Sequence, residues 1–595
     1  MLLLLLACTQ PAPIDAPWNL PDGAPHALHD PDHNLATWPD DAHTVAAPAR
    51  ATGLRVKLRD GAKASLEGDL TPQILLLEGL DDLDGFGTNG GAYLQFSAPL
   101  DEATIASALH GVDLETGAPV TFDLSTTDEG ATILANPRFP LHERHRYAWV
   151  VDDSLRDATG QTVWPSPWVH AALAGEIEPG LSPDLRRAAE LVGVAPESVV
   201  DATVFTTQSL FAGDDDAVAL LRDQTATWAL GACVVEGDIE RCEHTLTIAD
   251  LVGPNGYVSP DVSLAVQGRY DLPVTLYLPW PRGPEALPVI LHGHGLSGDR
   301  HEARGAAENL AGLGFVVAAV DAPMHGDHPT NTTDADLLWV LQMFGISLDN
   351  GTFDPRVLRD SFRRAAWDKV QVAAALRASP DVTGDGVADL DGGFVAWTGH
   401  SLGGLLGPQL QALDPQIAGS FLSVPGGRMA DIVHLSGTFA PLIALMAPPG
   451  TSTGTIDRFF PMLQACIERG DPATWAVRMA EDRHDLWVVE VLDDEIMPNP
   501  TTDYLSRALG VQHAGPVIHE IPELPIYEGA SPVSGNVAGK TAALWQYEDA
   551  HFGGQPARVD HSDVFDADEH VGQMRAFLDS LRRDGRATVP DPGAP

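Results

Sequence analysis

Lysine is almost missing from this chain: Lys57, Lys63, Lys369 and Lys540 are the only four in 595 residues. Lysine and arginine together number 35 against 83 acidic residues, a formal charge of −48. A field of that sign repels nucleic-acid phosphates and anionic membrane surfaces. Nucleic-acid binding is therefore excluded as a function class, and anionic substrates are disfavoured. Long apolar runs are missing too, since no stretch approaches the ~18 uninterrupted apolar residues that span a bilayer. Cysteine is scarce, four in all, with no spacing that reads as a zinc site. The composition of a disordered chain is also absent. Hydrophobic residues make up 44%, ample for packed cores, and the length asks for two or three domains.

What the chain does have is a short, chemically specific stretch at 393–405. Phe394 to Thr398 is an apolar, aromatic run that reads as a buried parallel strand. It leads into Gly399-His400-Ser401-Leu402-Gly403, a G-x-S-x-G sequence followed by a helical pattern. A serine at the tip of a strand-to-helix turn sits in a strained backbone conformation, and side chains two residues either side would collide with the turn. Glycine at 399 and 403 removes them. The following helix aims its first N–H groups and positive dipole end at the place where an oxyanion would form.

Around this centre the chain divides by pattern. Residues 9–48, rich in Pro, Ala, Asp and His without periodicity, read as a linker. Short strands separated by turns follow over 49–175, among them 53–58, 73–77, 92–97, 121–124, 131–135 and 146–151, and suggest an all-β sandwich. A connector over 176–268 holds helices near 185–192 and 214–228, a strand at 200–207 that could complete the sandwich, and further strands including 262–266. From 269 to 585 strands alternate with helices: strands at 287–291, 315–320, 418–424, 486–491 and 541–546, helices at 300–313, 361–378, 402–413 and 571–582. That alternation predicts an α/β domain with a mostly parallel sheet covered on both faces. Residues 428–485 interrupt it as a lid-like, partly helical insertion, and 586–595 form a tail.

Residues 269–585 resemble the α/β-hydrolases. The resemblance rests on the elbow and on Leu291-His-Gly-His-Gly295 directly after a strand. It implies an oxyanion hole made by the backbone N–H groups of His294 and Leu402. It also implies an acid after the strand at 486–491, where the pattern Asp-x-x-apolar-Pro in Asp494-Glu-Ile-Met-Pro498 selects Asp494 over Asp493 and Glu495. A histidine should follow the last strand. His551, His561 and His570 all stand there. His561, in Val-Asp-His-Ser-Asp-Val-Phe ahead of Gln573-Met-Arg-Ala-Phe-Leu578, resembles the family's histidine loop most closely, and His551 is the alternative base. The order Ser401…Asp494…His561 is that of this superfamily.

Two further resemblances concern location. Leu5-Leu6-Ala7-Cys8 resembles the lipobox of bacterial lipoproteins, which implies a signal peptide over 1–7, lipid on Cys8 and an exported, surface-anchored protein. Tyr93-Leu-Gln-Phe-Ser97, Pro99 to Thr104 and Tyr147-Ala-Trp-Val-Val151 resemble bacterial Ig-like domains. The whole chain is thus similar to surface lipoprotein esterases and lipases of Gram-negative bacteria. Cys233 and Cys242 flank a short polar hairpin, and export favours a disulfide between them. Cys466 reads as a buried thiol.

Asp381-Val-Thr-Gly-Asp-Gly-Val-Ala-Asp389 partly matches a calcium loop, with Asp381, Thr383, Asp385, the Val387 carbonyl and Asp389 as candidate ligands, although a terminal bidentate Glu is absent. An acidic surface turn reads equally well. The expectation is a serine esterase or lipase acting on a small-molecule or lipid ester through an acyl-enzyme. It needs no cofactor for the reaction, has calcium as a candidate structural ion, and meets the membrane only through its lipid. An amidase or acyltransferase on the same fold, or a catalytically dead surface binding protein, are the alternatives.

Overall fold

The computed structural model describes residues 20–69, 74–347 and 349–592. Cys8 and the predicted signal peptide lie outside the described residues.

The larger part of the chain is an α/β architecture built on an eleven-stranded mixed sheet. Its strands are β1 (Thr227–Ala229), β2 (Cys233–Glu236), β3 (Ile239–Asp250), β4 (Gly268–Pro279), β5 (Leu287–Gly293), β6 (Val316–Val320), β7 (Leu390–His400), β8 (Gly419–Ser423), β9 (Asp485–Val491), β10 (Gln512–His513) and β11 (Ala542–Tyr547). They lie in the order β1-β3-β4-β6-β5-β7-β8-β9-β11-β10, with β2 hydrogen-bonded to β3. The pairs from β6–β5 through β11–β10 are parallel, while β3–β4 and β4–β6 are antiparallel.

The parallel strands are buried on both faces, which is why they read as continuous apolar runs. Ile290, Val317, Ala396, Phe421 and Trp487 face one core, closed by helices α1 (Ala303–Ala311) and α6 (Asp568–Asp584). Val289, Ala318, Val395, Trp397 and Val488 face the other. That side is closed by α2 (Pro355–Arg377), α3 (Leu402–Leu413), α4 (Pro472–Asp482) and α5 (Asn499–Leu509). Helix α2 begins six residues before the predicted start, because Asp354 caps it, accepting from the Arg356 N–H, and Pro355 occupies its first turn.

The N-terminal part contains two four-stranded antiparallel sheets. One joins Thr37–Trp38, Ala92–Gln95, Thr132–Pro137 and Phe122–Thr127; the other joins Val199–Thr206, Arg146–Asp152, Leu109–Asp113 and Pro119–Val120. The strand expected at 200–207 does pair with Arg146–Asp152. Four expectations need correction. The region 49–175 is not all β, because Asp60–Asp69, Leu76–Asp81, Glu102–Ala108 and Pro167–Ala174 are helical. The apolar run at 75–77, predicted as strand, opens a helix, an ambiguity that short apolar runs always carry. Residues 20–48 are not a linker either: Thr37 and Trp38 pair with Leu94 and Tyr93, and Trp38 is buried with its ring edge-on to Phe86 at 4.9 Å. No strand forms at 262–266.

The two parts share one continuous apolar cluster that includes Leu94, Trp149, Leu463 and Trp397. A buried carboxylate marks their junction. Glu468 accepts the backbone N–H groups of Thr88 (2.7 Å), Asn89 (2.6 Å) and Gly90 (2.9 Å). The insertion supplies Glu468 and the helices Met429–Leu435, Ala440–Met446 and Thr453–Ile467. Its last helix, α4, packs on α3 as the crossover between β8 and β9.

Candidate active site

Strand β7 and helix α3 meet at Ser401, whose backbone lies at φ 52°, ψ −112°. That region is costly for a residue with a side chain, about 1–3 kcal/mol. The surrounding glycines permit it. A Cβ at Gly399 would run into the Gly403 carbonyl, and a Cβ at Gly403 into the Gly293 carbonyl of the loop after β5. Ser401 N–H donates to the Ser423 carbonyl at the end of β8 (3.0 Å), which ties the turn to the next strand.

His561 and Asp494 reach Ser401 from the loops after β11 and β9. His561 Nε2 stands 2.8 Å from Ser401 Oγ, and His561 Nδ1 stands 2.7 Å from Asp494 Oδ2. All three residues are buried. The other carboxylate oxygen, Asp494 Oδ1, accepts the N–H groups of Ile496 (2.9 Å) and Met497 (2.8 Å). Two backbone donors thus fix the acid's rotation and leave Oδ2 for the imidazole. An ionised Asp494 makes Nδ1–H the donor, so Nε2 presents its lone pair to the serine hydroxyl.

The oxyanion-loop expectation places His294 and Leu402 on either side of Ser401. Leu402 is the first residue of α3, where helix N–H groups have no intrahelical partner. Gly403 N–H is committed to the His294 carbonyl (3.0 Å), so the two backbone segments are locked together. Gly295 lies against the serine: a Cβ there would stand 3.8 Å from Ser401 Cβ. The His294 ring is a strut. Its Nδ1–H donates to the Gly295 carbonyl (2.8 Å) and its Nε2 accepts from Ala322 N–H (2.9 Å). Burial holds it well below the usual histidine range. Gly295 N–H donates to Glu302 Oε2 (2.9 Å), a loop anchor that no sequence signal announced.

The other candidate histidines go elsewhere. His551 lies on the exposed hairpin Asp549–Phe552/Gln555–Arg558, with Nδ1 on Glu569 at 2.5 Å. His570 is buried, with Nε2 at 2.7 Å from Ser423 Oγ, and burial pushes it down to about 3. His400 packs edge-on against Phe565 at 4.5 Å and lies 5.4 Å from the His561 ring; burial keeps it well below the usual range. His292, beside Thr398 Oγ1 at 2.9 Å, is lowered to about 4 by burial. Of these rings His400 lies beside His561, and His292, His294 and His570 are hydrogen-bonded to a hydroxyl or to backbone groups and not to a carboxylate.

A second residue that sequence reasoning missed is Asn499, which follows Pro498 and precedes Pro500. Its Nδ2 donates to Glu490 Oε1 (2.8 Å) and to the Val491 carbonyl (2.8 Å), and its Oδ1 accepts Asp493 N–H (2.9 Å). The Asn-Pro pair was the available signal, since such pairs mark turn and helix starts.

The candidate calcium residues are not gathered around a common point. Asp381 accepts the N–H groups of Gly384 and Gly386, Asp389 those of Val382 and Thr383, and Asp385 that of Val387. Their carboxylates fold the loop through these backbone bonds. Cys233 and Cys242 are joined as a disulfide across the β2–β3 hairpin. Among the described residues, the one group of ligand atoms close enough for a metal is Cys233, Cys242 and His244, with both sulfurs in that bond. Cys466 is a buried free thiol. No described helix is long and apolar enough to cross a membrane.

No protein-family model matches the chain, and no curated protein matches it in sequence. Solved structures overlap part of it. Acetyl xylan esterase 1 from Thermoanaerobacterium is similar at 17% identity and TM-score 0.34, over 50% of this chain and 82% of that chain. Acetyl xylan esterase from Paenibacillus is similar at 19% identity and TM-score 0.34, over 50% and 83%. Acylaminoacyl peptidase from Pyrococcus horikoshii is similar at 11% identity and TM-score 0.33, over 62% and 52%. With no score among these above 0.34, the chemistry of the site rests on the residues of this chain.

Proposed function

We propose that this chain is a serine hydrolase of the α/β-hydrolase type that cleaves carboxylic esters through an acyl-enzyme. The observation that carries the reading is the unbroken line Asp494–His561–Ser401, with 2.7 and 2.8 Å contacts, at a strained serine on a helix N-terminus. His561 Nε2 takes the hydroxyl proton as Ser401 Oγ attacks the ester carbonyl. Asp494 holds the tautomer and stabilises the imidazolium that forms. The oxyanion is held by the backbone N–H groups of Leu402 and His294. The imidazolium returns its proton to the leaving alcohol, and water repeats the sequence to free the acid.

An uncharged ester suits a protein of charge −48. An apolar cavity of about 100 Å³ lies between Leu442, Ile443 and Phe459 of the insertion and Phe344, Ile346 and Phe353, and none of Ser401, Asp494 and His561 lines it. The insertion's first helix is fastened to the acid loop, Ser436 Oγ donating to the Glu495 carbonyl (2.7 Å). An amidase or acyltransferase would use the same line of groups and differs only in the leaving group or acceptor.

Ser401→Ala should abolish hydrolysis of a p-nitrophenyl ester and labelling by a fluorophosphonate, with the melting temperature kept. Turnover equal to the wild type would sink the reading, and a wild type inert to both reagents would favour a binding protein. We also propose export and lipid attachment at Cys8. The Cys233–Cys242 disulfide supports an oxidising compartment, and the mass of the mature N-terminus tests it.

A further inference from the structure

Strand β9 ends at Glu490-Val491, the loop carrying Asp494 follows, and α5 begins at Asn499. One side chain closes both ends of that loop. Asn499 Nδ2 donates to Glu490 Oε1 and the Val491 carbonyl, while its Oδ1 accepts from Asp493 N–H, one residue before the acid. Glu490 is itself buried and accepts a second bond from Gln546 Nε2 on β11 (2.8 Å).

Asp503, one turn beyond Asn499 on α5, is buried beside Glu490, and the two side chains interact across the β9–α5 contact. Asp503 Oδ2 meets His519 Nε2 at 3.0 Å, but its buried Oδ1 has no donor among the described residues. The titratable or charged groups that face the pair are His519 and Arg507, and Arg507 is already directed to Asp123 Oδ2 (3.2 Å) and the Arg138 carbonyl (3.0 Å). Two buried carboxyl groups without a cation between them cannot both ionise cheaply.

We propose that Glu490 and Asn499 are positioning residues for Asp494, and that a proton shared between the Glu490 and Asp503 side chains docks the first turn of α5 on β9. The proposal rests on the serine-hydrolase reading. Burial first, then the Asp503 charge, pushes Glu490 up to about 8. Asp503 is raised by burial as well. The sign follows: the shared proton is present below that value and is lost as pH rises through it. The two carboxylates then repel across the β9–α5 contact. Because Asn499 and Asp503 sit on the same face of α5, the repulsion opens the clasp that sets Asp494 against His561.

Asp503→Asn stands in for the shared proton at every pH, since an amide N–H in the place of Oδ1 donates to the Glu490 carboxylate and carries no charge to repel it. The wild type should lose kcat several-fold between about pH 7 and about pH 9, while D503N loses little over the same range. N499A should lower kcat about tenfold or more at neutral pH with KM little changed, because the acid's register acts on proton transfer and not on ground-state binding. A wild-type kcat flat across that range, or an alkaline fall kept in D503N, overturns the proposal, as does N499A with full kcat. Should N499A fail to fold, the D503N profile decides alone. With Ser401→Ala inactive, a wild-type-like D503N profile removes the clasp only. Turnover in Ser401→Ala removes the parent reading.

Discussion

Two histidines in this protein are held in nearly the same way and serve opposite ends. His29, in the N-terminal part, is buried with Nδ1 at 2.8 Å from Asp201 Oδ1 and Nε2 at 2.7 Å from Asp40 Oδ2, and it stacks on Trp168. His561 is buried with Nδ1 at 2.7 Å from Asp494 and Nε2 at 2.8 Å from Ser401. One carboxylate has been exchanged for a hydroxyl. Burial by itself would lower His29, but its two carboxylates outweigh that and raise it to about 10. Both ring nitrogens are then donors, and the imidazolium is a permanent tie between distant segments. His561 has one carboxylate and one hydroxyl as partners, and on the proposed reading its second nitrogen is the acceptor that takes a proton from Ser401.

The comparison breaks most sharply at Asp494. Asp494→Asn presents an amide, which can donate to Nδ1 and drive the ring proton to Nε2, the wrong tautomer for a base. On the proposed reading kcat should fall by about 10⁴, the size seen when this position is neutralised in a Ser-His-Asp site. A p-nitrophenyl ester assay at fixed pH measures it. A fall of tenfold or less would mean that the geometry does not carry proton transfer.

The next effect is on stability and leaves the chemistry alone. His29→Ala strands Asp40 and Asp201 as unpaired buried carboxylates, which costs about 3–5 kcal/mol. Denaturant unfolding should show that loss while kcat in the folded fraction is kept. The pH dependence has a definite sign. A histidine raised from 6.5 to about 10 contributes stability fully below the lower value and loses it as pH rises through the higher one. The wild type should therefore lose unfolding free energy across that window. In His29→Ala the contribution disappears. An identical slope in both proteins would dismiss His29 as a charged tie.

Much of the α/β part was legible because its signals are contiguous. The elbow is five adjacent residues whose glycines have one physical purpose, and Asp494 stands out through its spacing to Pro498. Parallel strands buried on both faces announce themselves as apolar runs, and α3 was placed to the residue. The N-terminal part was illegible for the opposite reason. The segment around His29 has the Pro, Asp and His content of a linker, yet each polar group is answered by a partner far away, Asp201 lying 172 residues from His29. Composition cannot show that pairing. The same limit hid Glu468, whose partners at 88–90 precede it by 378 to 380 residues. The start of α2 lies outside the apolar periodicity of 361–378, because the Asp354-Pro355 cap begins the helix before its regular apolar face does.

The smallest expected effect separates the histidines that spacing alone could not. His551 and His561 both follow β11, and in the sequence only the resemblance of the residues around His561 to a histidine loop favours it over His551. The structure folds the intervening chain into the hairpin Asp549–Phe552/Gln555–Arg558, which carries His551 outward to a surface contact with Glu569. Val559 and Val564 are buried on either side of His561 and hold its loop against the domain. The His551 side chain is 51% exposed, so solvent screens its ion pair, and such pairs contribute about 0–1 kcal/mol. His551→Ala should therefore change kcat by less than about twofold and lower the melting temperature by a few degrees at most. Steady-state kinetics beside a thermal melt would check both. An inactive His551→Ala with a normal melt would transfer the base from His561 to a hairpin able to swing inward, and would make the closed line to Ser401 a resting arrangement.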